Sequence, residues 1–161
     1  MRTTWVVVAD EAIVRVLSKP DGDGVLRPVH ELADPAAHAE DAAFRHDAFG
    51  RRAGGTAARG GPAGRQAGAR AGTATSSAGL SGQHVEAEAF TRRVSDWLQA
   101  AMNAHRFDEL HIAAAPRFLG LLRKAMSTEL ARHVVQQIDK DWVQSDEREL
   151  AERFFGRGAT D

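Results

Sequence analysis

A chain of 161 residues with 43% apolar side chains is enough for one domain with a real core. The absence of cysteine excludes disulfides, thiolate catalysis and thiolate metal sites, and a net charge of −1 gives no overall pull toward nucleic acid or anionic lipid. Met1 to Ala9 has no signal-peptide pattern, and no apolar run approaches the roughly eighteen residues of a membrane helix, so a soluble cytoplasmic chain without membrane insertion is expected.

Trp5-Val6-Val7-Val8-Ala9 is a β-branched run too apolar for a half-exposed strand, which implies a central strand covered on both faces. Asp10-Glu11 makes a turn, and Ile13, Val14, Val16 and Leu17 follow so closely that only an antiparallel hairpin fits. Pro20-Asp21-Gly22-Asp23-Gly24 is a second turn. Val25 to Leu32 is then a third antiparallel strand, at an edge because Pro28 lacks an N–H.

From Ala33 to about Ser81 the pattern dissolves. Ala36 to Phe44 is compatible with a short helix; beyond Gly50, alanine, glycine, arginine, serine and threonine dominate, with no apolar face to offset the entropy of ordering. Arg45, Arg51, Arg52, Arg59, Arg65 and Arg70 face one acid, Asp47. The reading is one domain over 1–161 with a flexible Arg/Gly/Ala-rich insertion at about 45–84.

Val85 to Ala104 predicts the longest helix, with Phe90, Val94, Trp97, Leu98 and Ala101 on one side. Leu110 to Ala114 is a buried strand running into a helix opened by Pro116, where a first-turn proline loses no hydrogen bond. Phe118, Leu122, Ala125 and Met126 give that helix its apolar face. Arg117 opposes the helix dipole at a cost of about 0.3 to 1 kcal/mol, which points to an anion or a carboxylate partner. His133 to Ile138 reads as another strand, and Ser145 as the cap of a final helix bearing Leu150 and Phe154 and stopped by Gly156. Three antiparallel strands, an excursion, then helix, strand, helix, strand, helix is the order of a ribonuclease H-like α/β mixed sheet of about five strands, the last two parallel and flanked by helices. Ligands bind such sheets beyond the carboxyl ends of the parallel strands, where Asp10 and Arg117 are expected to meet.

Trp5-Val6-Val7-Val8-Ala9-Asp10, Ala114-Ala115-Pro116-Arg117-Phe118-Leu119-Gly120-Leu121-Leu122-Arg123 and Ile138-Asp139-Lys140-Asp141 together resemble the bacterial host attachment protein family. The resemblance spans nearly all of the chain except the arginine-rich stretch. It implies kinship with the middle domain of the archaeo-eukaryotic peptide-chain release factors, itself ribonuclease H-like. In those factors a Gly-Gly-Gln loop ahead of a long helix helps water attack the peptidyl ester. Ser81-Gly82-Gln83 stands in a similar place, with serine where the first glycine belongs, so the backbone freedom of a glycine pair is missing. Gln83 is thereby the one catalytic candidate, and the simpler and preferred account of Gly82-Gln83 is a chance dipeptide at a helix entry in a glycine-rich loop.

For the other candidates, Arg51, Arg52, Arg59, Arg65 and Arg70 suit a phosphate-binding arm that wraps on RNA, or a solvated low-complexity insertion. Arg117 suits anion binding at a helix N-terminus, or a salt bridge to Asp10 as its rim partner or to another rim acid. The alanines closing the Leu110 strand leave no second acid for two-metal nuclease chemistry. His38, Glu40, Asp41 and His46 share no helical face, so neither metal nor cofactor is expected. Trp5, Trp97 and Trp142 are expected as core or half-buried packing residues, and Trp142, after a charged turn, is the one of the three most open to an interaction contact. The functional expectation is a non-catalytic binding module for ribosome or structured RNA. The alternatives are an attachment protein contacting protein or glycan partners, and a peptidyl-tRNA ester hydrolase.

Overall fold

The computed structural model describes residues 1–22, 24–36 and 75–156. Five strands, β1 (Thr4–Ala9), β2 (Ile13–Lys19), β3 (Arg27–Ala33), β4 (Glu109–Ala114) and β5 (Val134–Ile138), form one sheet in the order β3-β2-β1-β4-β5. β1 pairs antiparallel with β2, and β2 with β3; β4 joins β1 in parallel and β5 joins β4 in parallel. This is the mixed α/β sheet implied by the order of apolar segments.

β1 lies at the centre because its side chains are apolar in both directions. Trp5, Val7 and Ala9 enter a core with Phe90, Val94, Leu98, Phe118 and Leu122, while Val6 and Val8 enter a second core with Leu17, Leu150 and Phe154. Gly22 takes φ +82° in the turn between β2 and β3, a conformation that glycine adopts without a Cβ penalty. Pro28 sits on the edge strand opposite Leu17, beside a register shift at Val16/Leu17, so its missing donor leaves no ladder bond unmade inside the sheet.

Helices α1 (Thr75–Asn103), α2 (Pro116–Ala125) and α3 (Thr128–His133) contribute to the first core, and α4 (Glu147–Phe155) to the second. The buried polar groups of α1 are satisfied: Thr91 Oγ1 donates to the Ala87 carbonyl at 2.6 Å and Ser95 Oγ to the Ala125 carbonyl of α2 at 3.1 Å. On the other face, Arg15 of β2 donates to the carbonyls of Val143 (2.7 Å) and Ser145 (2.8 Å) and pairs with Glu147 (3.1 Å), holding the β5–α4 connection against the sheet.

Three local expectations are corrected. α1 begins at Thr75, ten residues before Val85, so the end of the expected 45–84 insertion is helical backbone. A six-residue helix capped by Ser127 precedes β5, so the last strand starts at Val134 and not His133. Asp146, not Ser145, caps the final helix, its carboxylate accepting from the Glu149 N–H at 2.8 Å. Trp142 is half-buried with its ring edge-on to Phe154 at 5.3 Å, within the core or half-buried placement expected of the three tryptophans. No helix among the described residues is long and apolar enough to cross a membrane.

Candidate functional site

The parallel pair β1 and β4 ends in register, Ala9 beside Ala114, and the Ala115 N–H donates to the Ala9 carbonyl at 3.1 Å. The chain therefore leaves both strands on one rim. From β1 it turns through Asp10 and Glu11, and from β4 it enters α2 at Pro116. No side chain caps Ala115, and the first amide of α2 with an acceptor within the helix is Leu119, bonded to the Ala115 carbonyl at 2.9 Å. The N–H groups of Arg117 and Phe118 are thus among those that helix geometry leaves without a partner of its own.

Asp10 does not meet Arg117. Its Oδ1 accepts from the N–H groups of Ala12 (2.7 Å) and Ile13 (2.8 Å), so the short carboxylate is consumed by its own turn. The rim partner of Arg117 is Glu11, one residue on, at 3.4 Å. About half of each side chain is exposed, 49% and 47%, so the pair is loose and solvent-screened. The sequence reading allowed a rim acid other than Asp10 but did not single out Glu11; the signal is that the residue after an aspartate that bonds its own turn projects outward with a longer reach.

α1 extends past this rim. At 1.5 Å per residue its 29 residues span about 43 Å, roughly twice the length of a six-residue strand. Among the described side chains of α1, Ala87, at 7% exposure, is the earliest that is buried, and Phe90 meets Phe118 of α2 at 5.8 Å. Before it, His84, Val85 and Glu86 are exposed, and Gly82 has no neighbouring atom within 4 Å of where a Cβ would stand. Gly82 and Gln83 thus belong to helical backbone projecting beyond the sheet, rather than to a loop ahead of the helix.

β3 also ends on this side. The Asp34 N–H donates to the Ala12 carbonyl at 2.8 Å, and its carboxylate accepts from the Ala36 N–H at 3.1 Å and lies 3.7 Å from Arg93 of α1. The chain leaves the described part at Ala36 and returns at Thr75, on the overhanging end of α1. Arg45, Arg51, Arg52, Arg59, Arg65 and Arg70 lie outside the described residues, as do His38, Glu40, Asp41 and His46.

The rim brings together Arg117, Glu11, Asp34 and Arg93 with the start of α1, and holds no converging carboxylates. β4 closes with Ala113 and Ala114, and among the described residues no three His, Asp or Glu side chains gather as a metal site. What the rim offers chemically is two ion pairs with half-exposed arginines, Arg117–Glu11 and Arg93–Asp34, beside the helix-start amides of α2. A cavity of about 800 Å³ lies elsewhere, between α4 and the β2–β3 turn, where Val25, Leu26, Ala151 and Phe155 make an apolar floor. Neither Asp10 nor Arg117 lines it.

The family model described as "Protein required for attachment to host cells" matches residues 5–154. A search of curated proteins finds no match.

Proposed function

The chain belongs to the family of proteins required for attachment to host cells, and from that premise we propose that it is a non-catalytic binding module that engages ribosomal or other structured RNA through the rim. One observation carries the reading. The sequence from Arg45 to Arg70 holds six arginines and Asp47 as its one acid, and it falls between Ala36, beside the rim where Arg117 opens a helix with no side-chain cap, and Thr75, on the end of α1 that extends past that rim. Cations joined to a fixed platform can contact several phosphates, and each contact releases condensed counterions. The order of the five strands supports the likeness to a release-factor middle domain, and with it the ribosome as the RNA in question.

Ester hydrolysis is the weaker reading. In a helix the backbone at Gly82 and Gln83 is committed to the intrahelical ladder, whereas a Gly-Gly-Gln loop needs freedom at that point. A protein or glycan contact is favoured by the family description alone.

Co-sedimentation with ribosomes over a salt series tests the proposal. The wild type should pellet with ribosomes at low salt and be released as salt rises. Converting the six arginines at 45, 51, 52, 59, 65 and 70 to glutamine should flatten that dependence by about 0.7 log units per decade of salt for each phosphate no longer neutralised. A wild type that stays in the supernatant at low salt refutes the reading.

A further inference from the structure

The sequence places no aromatic side chain among the loop arginines beyond Phe49, yet binding of unpaired bases needs rings to stack on. The fold supplies them on the seam between α1 and the edge strand β3. Trp5 stacks on Trp97 of α1, centroids 5.7 Å apart and planes 21° from parallel. Trp97 in turn stacks on His30 of β3 at 4.7 Å and 12°. Trp5 is buried at 2% exposure, Trp97 is half-buried and His30 is exposed, so the series runs from the core to the surface.

Cations flank this series along α1. Arg93, one helical turn before Trp97, is 53% exposed and only loosely held by Asp34 at 3.7 Å. Arg106, exposed just past the helix, lays its guanidinium 5.0 Å from the Trp5 ring and 5.8 Å from that of Trp97. An arginine, an accessible ring stacked on a tryptophan, and a second arginine follow one another from the rim along the seam. β3 is the edge strand of the sheet, with no strand on its outer side among the described residues, and His30 on it is exposed.

We propose that this seam is a binding track for single-stranded RNA, with the His30 ring as the platform for one base and Arg93 and Arg106 as contacts to the phosphates on either side of it. The proposal rests on the RNA-binding reading and assigns to it a class of substrate, unpaired nucleotides. Stacking is sequence-tolerant because every base has a π-face, while the two arginines answer the backbone. Duplex RNA, whose bases are already stacked on one another, has none to offer His30.

The test uses the full chain, a short fluorescein-labelled oligoadenylate, and an RNA duplex of the same length, read by fluorescence anisotropy at low salt. Wild type should bind oligoadenylate more tightly than duplex. His30→Ala should weaken oligoadenylate roughly tenfold, within the range for losing one base–aromatic stack, and leave duplex binding unchanged. His30→Tyr should restore it, which a merely structural role for the imidazole does not predict; equal melting temperatures establish that His30→Ala is folded. If the alanine variant binds oligoadenylate like the wild type while ribosome sedimentation persists, the seam is not the track and the RNA reading stands. If wild type binds neither oligoadenylate nor ribosomes, both fall.

Discussion

Arg15 offers the sharpest test of how the second face of the sheet is held. α4 is nine residues long and reaches the core through few large side chains, Leu150 and Phe154 foremost, so its position depends on the connection that delivers it. The Arg15 guanidinium, its side chain 21% exposed, bonds two backbone carbonyls of that connection and the Glu147 carboxylate. Arg15→Met keeps the aliphatic stem and removes every donor. A hydrogen bond to a charged group contributes about 1.5 to 3 kcal/mol, and bonds sharing one side chain are not additive, so we expect a loss of about 3 kcal/mol. For a domain of this size that lowers the melting temperature by about 6 to 12 °C. Arg15→Lys should recover only part, because Nη1 donates to both carbonyls while Nη2 donates to Glu147, and a single ammonium cannot occupy both positions of that fork. Urea and thermal unfolding followed by circular dichroism measure both variants. A methionine variant within about 0.5 kcal/mol of wild type, the ordinary range for surface substitutions, refutes the clamp.

Two further outcomes follow from single residues. His105 ends α1 with φ +53°, its N–H bonded to the Met102 carbonyl (2.9 Å) while the Arg106 N–H reaches the Ala101 carbonyl (3.0 Å), the paired bonds of a glycine-type helix stop made here by an exposed histidine. His105→Gly should therefore raise stability by about 0.5 to 1 kcal/mol, read as a higher urea midpoint at unchanged m-value; a lower midpoint refutes the assignment of strain. Glu149 is held below the ordinary carboxylate range, first by the Arg153 side chain, which donates at 2.6 Å, and then by Ser145. Because its folded pKa is depressed, its contribution is complete above the pKa of an unfolded glutamate and disappears as pH falls through the lowered folded value. Glu149→Gln should flatten stability against pH in that acidic window alone, and a change confined to neutral pH contradicts the assignment.

The parts of the fold legible in the sequence are those where one physical requirement dominates. β1 was readable because only a strand covered on both faces tolerates five apolar residues in succession. α2 was readable because a proline and a face of Phe118, Leu119 and Leu122 agree on where a helix begins and which way it looks. α3 was not: six residues are too few to show a period, though Ser127, accepting from the Leu130 N–H at 3.1 Å, was a cap signal in plain view. The partner of Arg117 turned on whether the shorter or the longer of two adjacent acids is captured by its own backbone, which is a matter of reach that composition does not encode. Nor could any local pattern join His30 to Trp97, since that contact exists only because α1 lies across the sheet beside its edge strand.

The start of α1 was missed for a reason that bears on function. Apolar periodicity reports burial, and it stops near Ala87 because the helix there passes beyond the sheet, not because the helix ends. Helix formation is limited by its first turn; once residues 87–103 are fixed by packing, each residue added toward Thr75 gains one backbone bond without a new nucleus. Gly82 opposes this by about 1 kcal/mol relative to alanine, which a continuous helix can absorb. A glycine-containing tripeptide ahead of an amphipathic stretch therefore looks like a loop in the sequence while remaining inside a helix in the fold. Gln83→Ala separates the two readings: in a helix it should leave the far-ultraviolet helical signal intact or slightly higher. A loss of helical signal would mean that glutamine is needed to hold a local turn there, and would restore the loop on which the hydrolase reading depends.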